Sequence, residues 1–376
     1  MIANTEPRYA YIDALRGYAI LMVIAVHASQ QIGGLPSFAY RIADQGARGV
    51  QLFFVASAIT LCMSWHRRLD GIASFYTRRL FRIAPMFWLA IVYFVATQGL
   101  APRAFEPDGI GTKHIILTAL FSHGFLPGTF TSVVPGGWSI AVEMMFYAVF
   151  PILVFTIKSW RTAVLAAAIA LIPAAIVYWL LQLSAEAEPQ AWRMAYQVFS
   201  TLNFVHQLPV FLIGIAAYFI MRDERDAIER RPFLLAVVAL SPVAIVLVAY
   251  YHFHILWAEF GFHSSYAVAF AGAAIALSKK PIFIFVNPLI IWIGKISFSG
   301  YLFHLALYTV LPANLPGLSP IIGLFVFYGA LTFTTIVASS VTYVTIEKPM
   351  IAFGNRLLRY LKSRIDINKP LSTGAI

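Results

Sequence analysis

Residues 13–27 read DALRGYAILMVIAVH: a charged beginning, an apolar run and a histidine close to its end. The apolar stretch extends over about residues 11–32, which matches the roughly 20 residues that an α-helix needs to cross a bilayer. We interpret it as a retained helix rather than a removed signal peptide. Because the bilayer core solvates ionisable groups poorly, an ionisable side chain within such a helix indicates a functional site.

The composition is that of a membrane protein. Apolar residues make up 60% of the 376 residues and charged residues 11%, whereas soluble domains carry roughly 25% charged residues. The single cysteine, Cys62, excludes an intrachain disulfide and a thiolate metal cluster. The apolar segments follow one another closely, which predicts one transmembrane domain over residues 1–346 and a basic cytoplasmic tail over residues 347–376.

Apolar segments of spanning length predict an all-α, polytopic fold with about ten transmembrane helices. A further segment, 114–126, is too short to span and is expected to lie at the outer interface. The predicted spans are 11–32, 46–65, 84–100, 137–157, 162–183, 204–221, 233–252, 264–278, 296–312 and 320–343.

The distribution of basic residues predicts the orientation. Ten crossings from a cytoplasmic N terminus leave both termini in the cytoplasm and most of the 27 Lys and Arg on that side, as the positive-inside rule requires. We therefore expect a multi-pass protein of the inner (plasma) membrane, with its basic tail on anionic lipid and no nucleic-acid partner. The basic residues predicted on the outer side are Arg41, Arg48, Arg103, Lys113 and Arg193.

The first predicted helix places three ionisable residues on one face. Arg16 and His27 are separated by about 20° around the helix axis and about 16 Å along it, and Asp13 lies one turn before Arg16. A pocket open to the cytosol would have charges at its entrance and an imidazole inside. Alternatively, Asp13 and Arg16 only anchor the helix at the headgroups, and His27 only bonds a neighbouring helix.

A basic cluster precedes the third predicted span. Arg79 and Arg82 stand at i and i+3 and share a helix face, Arg78 adjoins them, and Pro85 is placed to begin the next helix. Guanidinium groups can bind phosphate oxygens in pairs, so the cluster suits a phosphorylated cytosolic cofactor. A basic cluster that only fixes the orientation of the helix in the membrane would have the same sequence pattern.

A carboxylate lies within the next span, after Trp138. Ser139, Glu143 and Tyr147 recur at i, i+4 and i+8 and are expected to line one side of a helix. An isolated carboxylate in hydrocarbon is costly, so Glu143 must face a polar cavity or a partner such as His27 or an arginine. A structural ion pair is the alternative.

Six motifs in order across the chain resemble membrane-bound acyltransferase family 3. They lie at Asp13 to His27, Gly49 to Val55, Arg78 to Pro85, Trp138 to Glu143, Gly294 to His304 and Glu347 to Pro349. The resemblance implies an enzyme that moves acyl groups, usually acetyl from acetyl-CoA, onto hydroxyls of surface carbohydrates or lipid-linked glycans. It places the family's arginine–x10–histidine motif on Arg16 and His27 and its R-x-x-R motif on Arg79 and Arg82. The Ser57-Ala58 pair departs from the more usual Ser-Gly.

The resemblance also implies roles. Arg16, Arg78, Arg79 and Arg82 would bind the acyl-CoA phosphates, and His27 would act as general base, by direct transfer or through an acyl-histidine. Glu143 would orient His27 or hold the acceptor. The remaining candidates for substrate binding are Asp13, Trp138, Ser139, Tyr147 and His304.

Other properties remain open at the level of sequence. No permanently bound cofactor and no catalytic metal are expected, because the H-x-H spacing of His252 and His254 near His263 is a weak metal signal. His123 is a further candidate for contact with an outer acceptor. A proton-coupled transporter and a non-catalytic polysaccharide export partner are the rival functions. The acceptor, the acyl group and the oligomeric state are not predicted.

Overall fold

The computed structural model describes residues 9–68, 71–223, 257–312 and 317–367, and this part of the chain is helical without a β-strand. Its α-helices are α1 (Ala10–Gln31), α2 (Ser37–Asp44), α3 (Gly49–Arg67), α4 (Gly71–Gln98), α5 (Thr112–Ala119), α6 (Trp138–Thr156), α7 (Trp160–Ala187), α8 (Gln190–Leu202), α9 (Phe204–Asp223), α10 (Trp257–Lys279), α11 (Pro288–Lys295), α12 (Ser297–Tyr308), α13 (Pro320–Thr342) and α14 (Lys348–Ile367).

Long apolar helices make this a membrane protein. Seven helical stretches in the described ranges are long and apolar enough to cross a bilayer, or eight if α11 and α12 form one bent span. The predicted span 233–252 lies outside the described residues. Helix α5 has eight residues, or about 12 Å of helix, and is too short to cross, as the sequence predicts for this segment.

Helices α1 and α11 touch backbone to backbone. A Cβ added at Gly294 would lie 1.7 Å from the carbonyl oxygen of Asp13, and one added at Gly17 would lie 2.4 Å from that of Ile290. Real Cβ atoms do not approach so closely, so both positions require glycine for this packing. The contact fixes the part of α1 that carries Asp13 and Arg16.

The Ser57-Ala58 pair packs closely in spite of its departure from Ser-Gly. Ala58 is fully buried, and a Cβ added at Gly214 of α9 would lie 2.7 Å from the Ala58 Cβ. The space that a glycine would supply on α3 is supplied instead on the facing helix. Ser57, one residue earlier, points to the interior and is also buried.

The expectation that Pro85 begins a new helix is wrong. Pro85 lies inside α4, which starts at Gly71 and includes the whole basic cluster. A proline in a helix removes one N–H, here the one that would bond to the carbonyl of Phe81. The helix continues because neighbouring elements hold it, among them α14 at Phe81. The basic cluster is therefore part of a spanning helix and not of a connecting loop.

The span predicted over 296–312 corresponds to α12, which has 12 residues and follows a sharp bend. Helices α11 and α12 meet at Ile296 with an angle of 76° between them. The break places the N terminus of α12, with Ser297 buried, inside the bundle, where the partial positive charge of a helix N terminus favours an anionic group.

The basic tail begins as a docked helix. A five-residue π-helical segment, Tyr343–Glu347, joins α13 to α14. The Phe353 ring of α14 lies 5.4 Å from the ring of Phe81 on α4, and Gly354 sits against the same side chain. The sequence predicts that this helix lies on the inner leaflet. In the structure, one side of the helix contacts α4 instead.

Candidate functional site

Two helices bring two histidines together in the interior. The His304 Nε2 atom on α12 lies 3.2 Å from the His27 Nδ1 atom on α1. Each ring also bonds the carbonyl one turn earlier in its own helix: His27 Nδ1 to Val23 at 2.9 Å and His304 Nδ1 to Gly300 at 3.2 Å. His304 is fully buried, whereas His27 is half-buried.

These contacts assign the proton positions. A carbonyl oxygen only accepts, so His27 and His304 each carry a hydrogen on Nδ1 when neutral. The single hydrogen on His27 Nδ1 is then shared between the Val23 carbonyl and the unprotonated Nε2 of His304. The assignment leaves Nε2 of His27 as the nitrogen with a lone pair for a substrate proton, which is the arrangement that a general base needs.

Glu143 is held by two hydroxyl groups. Ser57 of α3 donates a hydrogen bond to Glu143 Oε1 at 2.7 Å, and Tyr147, one turn along α6, donates to the same oxygen. The predicted stacking of Glu143 and Tyr147 along one side of α6 is therefore present. Both donors use one carboxylate oxygen, so Oε2 keeps its capacity to accept from another group.

Arginines from two helices surround Glu143. Arg16 of α1 and Arg79 and Arg82 of α4 all lie within electrostatic range of the carboxylate. The sequence predicts either His27 or an arginine as the partner of Glu143, and the structure places arginines beside it. Asp13 and Glu347 also lie within electrostatic range of these arginines, so three carboxylates accompany the three guanidinium groups.

A small cavity of about 60 Å³ lies between these groups. Its polar lining includes Arg16 and Arg82, Glu143 and Ser139, and Ser297 at the N terminus of α12. Tyr301 also lines the cavity and accepts a hydrogen bond from Ser139 at 2.8 Å. The aromatic residues of the lining are Phe53, Phe54, Phe298 and Tyr301.

The two histidines adjoin this inner cavity without lining it. The Tyr301 ring lies 5.6 Å from the His304 ring, so the pair lies behind Tyr301. Arg16 lines the cavity whereas His27 does not, because the two are eleven residues apart and sit at different depths along α1. Sharing a helix face did not place them in the same cavity.

Arg79 has a different environment from Arg82. Its guanidinium lies 5.7 Å from the centre of the Tyr147 ring and 5.9 Å from that of Phe75. Its Nε atom is buried and has no hydrogen-bond partner. Arg79 thus stacks beside the Glu143 cluster, while Arg82 reaches the inner cavity.

Glu347 is a buried carboxylate for which the sequence pattern predicts no role beyond membership of the family motif. It is 1% exposed, and its Oε2 atom accepts a hydrogen bond from Ser299 at 2.9 Å. It also lies in electrostatic range of Arg82. In the sequence, Glu347 is recognisable as a carboxylate at the end of a long apolar segment, and this feature could have predicted a buried role.

Three other predicted site residues do not line the inner cavity. Trp138 packs edge-on against Phe54, with ring centres 6.2 Å apart. Asp13 is in electrostatic range of Arg16 and Lys295 near the α1–α11 contact. Arg78 lines a second, larger cavity.

The segment after α5 holds His123 in a closed environment. His123 is 1% exposed, its Nε2–H donates to the Gly137 carbonyl at 3.0 Å, and its ring stacks 5.6 Å from that of Phe87. Burial lowers the pKa of His123 to about 4. Contact of this ring with an outer acceptor is therefore not compatible with the observed packing.

No group of three or more metal-binding side chains occurs within the described ranges. His252 and His254 lie outside them. His263, the third member of that sequence cluster, is buried with its ring 5.2 Å from the ring of His206.

Comparison with known proteins gives one family. The sequence model of the Acyltransferase domain family matches residues 9–344, so the resemblance inferred from the motifs is confirmed. The chain is 33% identical to "Exopolysaccharide production protein ExoZ" of Rhizobium meliloti over 121 residues, 32% of this chain and 38% of that one. No solved structure matches the chain.

Two further relatives are more distant. The chain is 23% identical to "Putative O-acetyltransferase SAR0937" of Staphylococcus aureus, over 94% of this chain and 59% of that one. It is 25% identical to "Acyltransferase MdmB" of Streptomyces mycarofaciens, over 44% of this chain and 46% of that one. The chain thus matches less than two thirds of the length of each of these relatives.

Proposed function

The chain belongs to the Acyltransferase domain family, and from this premise we propose that it is a membrane O-acyltransferase that moves acetyl from cytosolic acetyl-CoA to a hydroxyl of a cell-surface or exported carbohydrate. The observation that carries the proposal is the contact of His27 with His304 behind a cavity lined by arginines; the tautomers inferred from this contact leave a lone pair on Nε2 of His27. The names of two relatives, an O-acetyltransferase and an exopolysaccharide production protein, support this choice of acyl group and acceptor.

In the proposed reaction, His27 Nε2 takes the proton from the acceptor hydroxyl. The hydroxyl oxygen attacks the thioester carbonyl, the carbon–sulfur bond breaks, and the leaving thiolate takes the proton back from His27. His304 is a positioning residue, because its Nε2 accepts His27 Nδ1–H and so holds Nε2 of His27 toward the substrate. The positioning role differs from the sequence-based expectation, in which His304 contacts the substrate.

The donor would bind with its reacting end toward the inner cavity. Arg16, Arg82 and the N terminus of α12 at Ser297 provide positive charge there, and the thioester would extend past Tyr301 to reach His27. Arg79 stacks on Tyr147 and keeps the Glu143 cluster in place. The cavity is far smaller than the 300–1,000 Å³ of typical ligand sites, so α12 or the aromatic lining must move when the donor binds.

Glu143 and its neighbours would hold the acceptor. The free Oε2 atom of Glu143 can accept a hydrogen bond from a sugar hydroxyl, while Ser57 and Tyr147 fix the carboxylate through Oε1. Ser139 presents a further hydroxyl in the same cavity. Trp138 would supply an aromatic surface next to it, and Asp13 would hold Arg16.

Replacement of His27 tests the proposal. We expect the purified His27→Ala protein to lose acetyl transfer by about 10²- to 10⁴-fold, because this is the usual worth of a general base, and still to bind CoA. His66→Ala is the matched control, since His66 bonds the Cys62 carbonyl one turn earlier in its helix just as His27 bonds Val23. His304→Ala should lower the turnover number and leave the KM for acetyl-CoA unchanged. Near wild-type transfer by His27→Ala would refute the assignment.

A transporter is the rival function, and one feature favours it. Transporters often bind their substrate at a broken helix, and α11 and α12 meet at 76° beside Arg16 and Ser297. Detergent-solubilised protein distinguishes the two functions, because transport needs two compartments and acyl transfer does not. Release of free CoA thiol that depends on an added carbohydrate acceptor would establish the enzyme.

The acceptor class and the membrane can be tested in cells. We propose an inner-membrane location, with acetyl-CoA in the cytosol and a lipid-linked or exported glycan as acceptor. Mass spectrometry of surface glycans from a deletion strain should show the loss of acetyl groups and identify the sugar that carries them. Unchanged glycan acetylation would exclude a surface carbohydrate as the acceptor.

A further inference from the structure

A second cavity opens beside the basic end of the bundle, where the positive-inside rule predicts the cytosol. Its volume is about 660 Å³, and five of its eight lining residues are cationic: Arg68, Arg78, Arg356, Arg359 and Lys362. None of the lining residues in the part of the chain that the structure describes is acidic. The cations come from three elements that are distant in sequence, the end of α3, the start of α4 and the docked helix α14.

The spacing of residues on α14 explains why they converge. Asn355, Arg356, Arg359 and Lys362 follow one another at intervals of one, three and three residues, so they lie along one face of the helix. Phe353 and Gly354 of α14 pack against Phe81 of α4. This contact fixes the basic face of α14 opposite Arg78.

Charge of one sign collected in one concave site attracts anions. Like charges repel one another, and a low-dielectric wall strengthens the field inside a cleft, so a polyanion gains most by binding there. Guanidinium groups bind phosphate oxygens in pairs. The volume is in the range of sites for nucleotide-sized ligands.

The two cavities are neighbours along α4. Arg78 lines the large cavity and Arg82 the small one, and four residues of helix separate them by about 6 Å. A donor with phosphates at one end and a thioester at the other could therefore occupy both.

We infer that the large cavity binds the phosphate groups of a nucleotide, namely the 3′-phosphate and pyrophosphate of coenzyme A, and that α14 is part of the donor site. The inference rests on the proposed function. It assigns Arg68, Arg356, Arg359 and Lys362 to the donor, in addition to Arg78. An anionic phospholipid offers the same phosphate chemistry from a second source, so the test separates the two.

Binding measurements on the purified full-length protein test the assignment. CoA and dephospho-CoA differ only in the 3′-phosphate, so the ratio of their Kd values reports contacts with that group. We expect the wild-type protein to bind CoA at least about tenfold more tightly than dephospho-CoA, and R356Q/R359Q to lose this preference. R161Q/K280Q, which removes two positive charges from residues that do not line the cavity, should keep it.

The outcomes separate the inference from the proposed function. An unchanged preference in R356Q/R359Q would overturn the assignment of the cavity to CoA. If that variant instead loses bound phosphatidylglycerol in native mass spectrometry, the site binds phosphate but its ligand is lipid. If the wild-type protein binds no CoA, the proposed function fails, and the same lipid measurement still tests the cavity. Equal lipid retention would then overturn the phosphate site as well.

Discussion

At the scale of single residues, His123 shows how burial fixes the charge of a group. Its ring lies between Phe87 and the start of α6, and its Nε2–H bonds the Gly137 carbonyl. The imidazole has lost its hydration, and no carboxylate is among the causes that set its pKa. The neutral form is therefore the one that the folded segment after α5 accommodates.

Acid should destabilise the protein through this residue. The pKa of His123 is about 4 in the folded state, against an ordinary value of 6.5, so the unfolded chain binds more protons between these values and stability falls as pH falls through that window. From pH 7.5 to pH 5 the loss is about 2 kcal/mol. His123→Gln keeps a donor for Gly137 but does not titrate. Thermal unfolding at both pH values should show a smaller acid-induced decrease in Tm for this variant, and equal decreases would contradict the prediction.

Part of the candidate site could be predicted because it depends on helical periodicity. The spacing of Glu143 and Tyr147 predicted that they share a side of α6, and they bond to each other. The contact between His27 and His304 spans 277 positions and depends on how α1 and α12 pack. Periodicity within one segment carries no information on such a contact, nor on the bond from Ser57 to Glu143.

At the scale of elements, the α1–α11 contact sets the position of Arg16. Gly17 and Gly294 let the two backbones meet, and the carbonyl of Asp13 lies where a side chain at position 294 would be. Arg16 lies between Asp13 and Gly17 and extends into the inner cavity. A change in this contact is therefore a change in the proposed donor site.

We expect Gly294→Ala to destabilise the protein by about 1–3 kcal/mol, because overpacking a close contact forces backbones apart. Apparent Tm and the yield of monodisperse protein measure the effect. Gly329→Ala is the matched control: it also lies within a helix, α13, and a Cβ there meets no atom within 4 Å. The control should be neutral or slightly stabilising, since alanine favours a helix over glycine. Equal stability of the two variants would refute the role of the contact.

Element boundaries could be predicted where a span is uniformly apolar. The predicted 137–157 and 320–343 correspond closely to Trp138–Thr156 and Pro320–Thr342. The prediction for 84–100 missed the first part of α4, because this part is basic and does not have the composition of a membrane span. The bend at Ile296 could not be predicted, because it depends on the packing of α11 against α1.

At the scale of the whole molecule, the proposed reaction requires a defined sidedness. The basic cavity and the tail helix lie at one end of the bundle, and the loop with Arg103, Glu106 and His114 lies at the other end of α4. Glu106 is buried and pairs with His114 Nε2 at 3.2 Å, and Arg103 bonds the carbonyls of Ser132 and Val133. We propose that an outer acceptor docks on this bonded loop.

Cysteine labelling in intact cells tests the sidedness. The single native cysteine, Cys62, is fully buried, and Cys62→Ala gives a background without a thiol. Cysteines introduced beside Glu106 and Glu188 should react with an impermeant maleimide from outside. Those beside Arg79 and at position 225, which lies outside the described residues, should react only after the membrane is opened. We expect this sidedness because acetyl-CoA does not cross the bilayer, so the proposed donor cavity with its cationic lining must face the cytosol. Labelling of positions 106 and 225 from the same side would exclude both the ten-helix topology and the proposed route of the donor.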